Sequence, residues 1–268
     1  MTAVAAWVRT LKPGVDELCI ISDSRLSDGR NIDCAPKIFP LPRGDIALCF
    51  AGETQVAYPF LQQVYSTSLS FRAARTRGLD LIEYRPHVIR ILNDLVSGIK
   101  TTIKELKTPK CSFLLCGYSW IRKRFYIWKI QFHPELGRFH YDKAASICGR
   151  PESIMFGGDA GAKLRAENAR ILTERRGVRW GIDPINFEPL EALVNLLKGA
   201  SDRDTIGGAP QCVKIYQHVN ASIIPLYWPT GQRASIYYLG RKLLGYERID
   251  DWVLDLATMT RHPFTPEG

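Results

Sequence analysis

The chain alternates between two hydrophobic rhythms. Apolar, β-branched runs at residues 4–8 and 18–21 flank Pro13-Gly14 and predict a hairpin. Asp28-Gly29 marks another turn, and residues 37–39 and 45–50 predict two strands around Pro42-Arg43-Gly44. The period then lengthens. Val56, Phe60, Leu61 and Val64 recur at helical spacing within residues 53–65. A longer helix is predicted over 79–106, with Val88, Ile91, Leu92, Leu95, Val96 and Ile99 on one face and residues 72–78 linking the two. Pro86 is expected to divide or bound it, because proline fits poorly inside a helix.

Strand character returns at 112–118, 125–132 and 138–141, with turns at 121–123 and 134–137. Residues 153–156 predict a short strand leading into Gly157-Gly158-Asp159-Ala160-Gly161, where a helix starts and runs to about 176. A further helix is predicted over 188–198, then strands over 211–219, 222–227 and 236–238. From about Gly240 the chain holds Trp252, Leu254 and Leu256, and a terminal helix or an arm packing on a neighbour is expected. Strands, two helices, strands, two helices, strands is the order of two stacked antiparallel sheets with helices on both outer faces. No repeat or linker divides the chain, so residues 1–268 are expected to form one domain with a C-terminal extension from about 240.

Composition narrows the function classes. A charged fraction of 24% and mean hydropathy of −0.12 are those of an ordinary globular protein. No run of 18 apolar residues is present, so no membrane span is expected, and the first residues lack the pattern of a secretory signal. A cytoplasmic protein is the expectation. The seven cysteines are odd in number and mostly lie in apolar runs, which predicts reduced, buried thiols. No Cys-x-x-Cys occurs, and the five histidines are scattered, so neither metal nor cofactor is expected. The net charge of +9 gathers at Arg72-Arg75-Arg77, at Arg122-Lys123-Arg124 beside Trp120, Tyr126 and Trp128, and at Arg170-Arg175-Arg176-Arg179. Such runs read as solvated helix faces and a hairpin tip, or as a surface for an acidic partner, in preference to a nucleic-acid site.

The candidate chemistry lies at the start. Thr2 is small enough for removal of Met1 to leave it with a free α-amine. A threonine hydroxyl is a weak nucleophile until a base takes its proton, and an α-amine, titrating near ~7.7–8.0, is such a base. Asp23 is suited to orient the hydroxyl and neutralise Lys37, Lys37 to stabilise the alkoxide, and the Gly52 N–H to hold an oxyanion.

In this order the residues resemble the N-terminal half of proteasome β-type subunits and of their bacterial relatives HslV and Anbu, all N-terminal-nucleophile (Ntn) hydrolases. The resemblance runs from Thr2 to about Gln63 through Ile20-Ile21-Ser22-Asp23-Ser24-Arg25, residues 33–39 and residues 46–52. It resumes at Cys116-Gly117-Tyr118, at Met155-Phe156-Gly157-Gly158 and at Arg203-Asp204-Thr205-Ile206-Gly207-Gly208. It implies an α+β, four-layer αββα sandwich and a threonine peptidase or amidohydrolase acting on a peptide or protein substrate. It further implies a homo-oligomer, with an ATP-dependent unfoldase as a possible partner.

The resemblance also makes Asp204 a catalytic residue near the threonine amine and Phe50 the floor of the first specificity pocket, favouring small side chains. The family places a serine beside the amine in a Gly-Ser-Gly stretch, where this chain has Gly157-Gly158-Asp159, making Gly158 and Asp159 the amine-side contacts. The second family segment reads Asp, two residues, then Ser-Gly-Gly; here Asp204 is one residue closer to the glycines and the serine is missing. These departures keep a second function open: a non-catalytic proteasome-like assembly subunit that binds an acidic partner or nucleic acid.

Overall fold

The computed structural model describes residues 2–103, 107–147, 150–176, 185–218, 220–230, 234–249 and 252–264. β1 (Val4–Lys12) and β2 (Val15–Ser22) form the expected hairpin, which turns at Gly14. Gly14 has φ of 78°, the left-handed region that favours glycine. A ribbon of β3 (Leu26–Ser27) and β4 (Asn31–Ile32) follows, then β5 (Ile38–Pro40) and β6 (Ile46–Gly52).

The helical run comprises α1 (Thr54–Ser70), α2 (Arg72–Arg75) and α3 (Leu81–Val96). α3 starts at a capping box: the Asp80 side chain accepts from Ile82 N, and Glu83 accepts from Asp80 N. Pro86 lies inside α3 and neither divides nor bounds it, and the helix ends at Val96, short of the expected 106. Residues 104–106 of that expectation lie outside the described residues.

Five strands come next: β7 (Cys111–Ser119), β8 (Arg124–His133), β9 (Arg138–Lys143), β10 (Ala145–Ile147) and β11 (Arg150–Gly157). α4 (Gly161–Arg176) and α5 (Glu188–Lys198) follow. The chain closes with β12 (Gln211–Tyr216), β13 (Asn220–Ile223), β14 (Leu226–Trp228), β15 (Ser235–Tyr238), β16 (Arg241–Lys242), β17 (Trp252–Asp255) and β18 (Thr260–Pro263).

The strands make four sheets. One is ordered β10-β11-β1-β2-β12-β13 and a second β5-β6-β7-β8-β9; the third is ordered β16-β15-β14-β17-β18 and the fourth is the β3-β4 ribbon. Period-two alternation decides which sides meet. Val4, Ala6, Leu18, Ile20, Val213 and Ile215 of the first sheet are buried with Ala47, Cys49, Leu114, Cys116 and Ile127 of the second. The alternate residues Ala5, Trp7, Cys19 and Ile21 pack with Leu164 of α4 and Leu190, Leu193 and Leu197 of α5. On the second sheet Leu48, Phe50, Phe113, Leu115 and Trp128 pack with Phe60, Leu61, Val64, Tyr84, Val88 and Leu92 from α1 and α3.

The expected four-layer αββα sandwich is corrected: a five-stranded sheet of β14 to β18 and the β3-β4 ribbon are built besides the two sheets packed face to face. Among the described residues there are four sheets, with 38% of those residues in strands against 27% in five helices, a predominantly β structure. The difference arises mainly after residue 220. Pro225, which lacks an N–H for a ladder, separates β13 from β14 where one strand was expected. The segment for which a terminal helix was one expectation forms strands instead. Asp255 accepts from Ala257 N and from Thr258 Oγ1, an Asx-type turn that folds β17 back on β18. β17 pairs in parallel with β14, and Leu226, Leu254 and Leu256 join the core under α4 and α5.

Near that junction Glu17 gathers charges from several strands. Its buried carboxylate lies 3.0 Å from Lys214 Nζ on β12, 2.9 Å from Arg9 on β1 and 3.9 Å from Arg261 on β18. Burial opposes ionisation of Glu17, but Lys214 and Arg9 outweigh it, and its carboxyl titrates below the ordinary glutamate range. The folded chain thus holds this proton less tightly than the unfolded one. Glu17 stabilises the fold above the unfolded value near ~4.3, and the contribution is lost as pH falls through the lower folded value. Glu17→Gln is expected to destabilise the protein by ~3–5 kcal/mol at pH 7, because it leaves Lys214 buried without its counter-charge. It is also expected to flatten the acid limb below pH ~4.3, as read by urea unfolding across pH.

Candidate active site

Register brings several strand ends to one rim. Val4 pairs with Ser22 on one side and with Gly157 on the other, and Ser22 pairs in turn with Gln211. Thr2, Asp23, Gly158 and the 207–210 segment therefore extend past the same edge of the six-stranded sheet. Lys37 reaches that edge from the facing sheet, one residue before β5.

Thr2 is buried, with only 1% of its surface exposed, and Asp23 and Lys37 are fully buried. Lys37 Nζ donates to Thr2 Oγ1 at 3.1 Å and to Asp23 Oδ1 at 2.9 Å. The Asp23 carboxylate has three further donors: Ala3 N to Oδ1 at 3.0 Å, Arg25 N to Oδ2 at 3.1 Å and Gly207 N to Oδ2 at 3.3 Å. A buried carboxylate needs such company, since charge taken out of water is costly unless it is paired and hydrogen-bonded. Burial pushes the Lys37 ammonium below the ordinary lysine range, against the opposing pull of Asp23. An ammonium with a lowered pKa beside a hydroxyl is suited to donate a hydrogen bond to a developing alkoxide.

Backbone contacts fix both ends of this constellation. Ala160 N donates to the Thr2 carbonyl at 3.2 Å, and a Cβ on Gly158 would lie 2.0 Å from that same oxygen. Only glycine fits there, at φ of 79°. At Lys37 the main-chain N–H donates to Gln211 Oε1 at 3.0 Å, and the carbonyl accepts from Phe50 N at 3.2 Å.

The sequence-derived residues separate into those brought together and those that are not. Thr2, Asp23 and Lys37 form one hydrogen-bonded group, and Gly158 abuts Thr2. Asp159 is exposed; its charge adds a weaker support to the protonated form of Lys37. Gly52 ends β6 with φ of 104°, where a Cβ would meet the Lys110 carbonyl at 2.3 Å, so local packing alone demands a glycine. Phe50 is buried under α1 with its ring 4.8 Å from that of Tyr58, so it backs the site from within the core. Asp204 is not joined to Thr2. Its exposed carboxylate accepts from Ser201 N and Ser201 Oγ, each at 2.7 Å, while its carbonyl accepts from Arg25 Nη1. Met1 lies outside the described residues.

Three residues support the site without having been assigned a role from the sequence. Arg25 is buried and forks onto Asp33 at 2.6 and 2.7 Å, while Nη1 reaches the Ser201 carbonyl at 2.7 Å. It packs so closely on Gly207 that a Cβ there would lie 2.4 Å from the guanidinium, which explains the first glycine of Gly207-Gly208. Tyr58 donates from its hydroxyl to the Pro36 carbonyl at 2.6 Å and covers both Phe39 and Phe50. Gln211 bridges Lys37 N and the Ala35 carbonyl. The one available signal for Gln211 was its polarity at the head of the apolar run Cys212-Val213.

Tyr126 and Trp128 beside the middle basic cluster have partners of their own, while Trp120 is exposed. Trp128 is buried, Arg85 stacks on Trp128 and Tyr141 at 4.7 and 3.8 Å, and Arg124 stacks on Tyr126 at 4.4 Å while pairing with Glu152. Among the described residues no helix is long and apolar enough to cross a membrane, and no cluster of three metal-ligating side chains occurs.

The two members of the central ion pair differ in what they leave behind. Removing Lys37 leaves Asp23 with three N–H donors, whereas removing the Asp23 carboxylate leaves a buried ammonium and breaks four hydrogen bonds. Asp23→Ala is expected to cost ~3–5 kcal/mol and Lys37→Met about 1–3 kcal/mol, compared by denaturant unfolding. Equal losses would contradict this asymmetry.

No protein-family model matches the chain, and no curated protein matches it.

Proposed function

We propose that this chain is a threonine-type amide-bond hydrolase related to the Ntn family, with Thr2 as nucleophile once Met1 is removed. One observation carries the reading: a buried lysine ammonium 3.1 Å from the Thr2 hydroxyl and 2.9 Å from a buried carboxylate. In the proposed reaction the α-amine of Thr2 takes the hydroxyl proton, and Oγ1 attacks a peptide or amide carbonyl. Lys37 stabilises the alkoxide, Asp23 holds Lys37 charged, and Gly52 N–H is the proposed donor to the oxyanion. As the C–N bond breaks, the Thr2 ammonium returns that proton to the leaving amine, and water then cleaves the acyl-enzyme, releasing the carboxylic acid and restoring the Thr2 hydroxyl. The proposal needs no cofactor for these steps, since nucleophile, base and oxyanion donor all come from the chain. Phe50, the proposed floor of the first specificity pocket, favours a substrate with a small side chain next to the scissile bond.

A second reading is favoured by Asp204, whose carboxylate turns to Ser201 instead of the Thr2 amine. In it the amine side of the site is inactive, and the protein is an assembly subunit that binds an acidic partner. A peptide epoxyketone, which needs both the hydroxyl and the free amine, separates the two. The hydrolase is expected to form a covalent adduct that is lost in Thr2→Ala and in Lys37→Ala. Lys37→Arg is expected to lose it as well, because a planar guanidinium does not fit the space of a buried ammonium. A Met1-free protein that stays unlabelled supports the assembly subunit.

The pH profile of the labelling rate follows from the two proton-bearing groups. The rate is expected to rise as the Thr2 amine loses its proton, near pH ~7.7–8.0. It is expected to fall again as Lys37 deprotonates, at a pH below the ordinary lysine value of ~10.4 because burial lowers it. An alkaline limb above ~10.4 would contradict the assignment of Lys37.

A further inference from the structure

We propose that Gln211 is a positioning residue for Lys37, through which the C-terminal sheet is coupled to the site. Its functional consequence rests on the hydrolase reading above; its structural half does not.

Lys37 lies just outside β5, and Pro36 precedes it. A proline has no N–H, so the backbone on either side of it must find partners away from a regular ladder. Gln211 supplies them. Its side chain is 1% exposed, with Oε1 accepting from Lys37 N at 3.0 Å and Nε2 donating to the Ala35 carbonyl at 2.7 Å. The single amide thus closes a bracket around Pro36, while the Pro36 carbonyl accepts from Tyr58 Oη at 2.6 Å. The backbone from which the Lys37 side chain springs is held on both sides of the proline.

The bracket is itself closed from behind. A Cβ on Gly240, at the turn between β15 and β16, would lie 2.4 Å from Ser24 Cβ and 3.2 Å from Gln211 Nε2. The C-terminal sheet therefore packs directly on the residue that follows Asp23 and on the side chain that brackets Lys37. A buried amide satisfied at both ends has little freedom to shift, so it transmits the position of β12 and of the Gly240 turn to Lys37.

The test compares wild type with Gln211→Met, which keeps the length of the side chain and removes both hydrogen bonds. Two quantities are read: hydrogen exchange at the Lys37 amide, and epoxyketone labelling split into its rate at saturation and its half-saturating concentration. Exchange at Lys37 is expected to rise about tenfold, with amides in the middle of β6 unchanged. The saturating rate is expected to fall about ten- to a hundredfold and the half-saturating concentration to stay within about twofold, as for a displaced catalytic group. Unchanged exchange at Lys37 overturns the proposal. So does a loss of protection shared across the whole six-stranded sheet, which marks Gln211 as a general core residue. Where Gln211→Met does not fold, Gln211→Asn, too short to reach both partners, makes the same comparison. Wild-type protein that is not labelled overturns the hydrolase reading, while exchange at Lys37 still decides the place of Gln211.

Discussion

The Asp23 carboxylate is the fixed point of this structure. It is fully buried at the end of β2 and accepts four hydrogen bonds, from Ala3 N, Arg25 N, Gly207 N and Lys37 Nζ. Those donors come from the start of the chain, the end of β2, the segment before β12 and the approach to β5. A charge in that position is costly unless it is well hydrogen-bonded, so the requirement to satisfy it ties remote segments to one place. Thr2 sits beside it because Ala3 is bonded to Asp23 in both directions, N–H to carboxylate and carbonyl to N–H.

From that point the electrostatics and the packing reinforce each other. Lys37 is held by the facing sheet, so its ammonium crosses from one sheet to the other to reach Thr2 and Asp23. Close packing around it leaves places where only glycine fits, at Gly158 against Thr2 and at Gly207 against Arg25. Each of these contacts limits how far Thr2, Asp23 and Lys37 can drift, which is what a preorganised site requires. The second buried ion pair, Glu17 with Lys214, lies beside Phe187 on the helix-covered face of the six-stranded sheet, where Arg261 adds a charge from the C-terminal sheet.

Much of this was legible in the sequence where a single periodicity ruled. The hairpin at Pro13-Gly14 and the helix over 188–198 emerge as read, because their signals are local. Pro86 misled because α3 runs through it: it is the sixth residue of the helix, where the chain keeps helical geometry at the loss of one N–H donor. The chain after Pro225 misled more deeply: its short strands depend on pairing with residues far along the chain, and β14 pairs in parallel with β17. That pairing, and with it the four-sheet architecture, has no local signature. At the site, Thr2, Asp23 and Lys37 were readable as a set of chemical types, but Asp204 was not, because its carboxylate satisfies the Ser201 turn nearby. Gln211 and Tyr58 act through backbone carbonyls and amides, partners that sequence does not display.

The central claim is that this buried pair exists to activate the hydroxyl of a threonine whose own amine is free. The intact mass of the protein purified from its own host tests it most directly. The account predicts a chain that begins at Thr2 with an unmodified amine. A mass showing Met1 retained, or the Thr2 amine capped, would contradict it, because the proposed base would then be absent from the site.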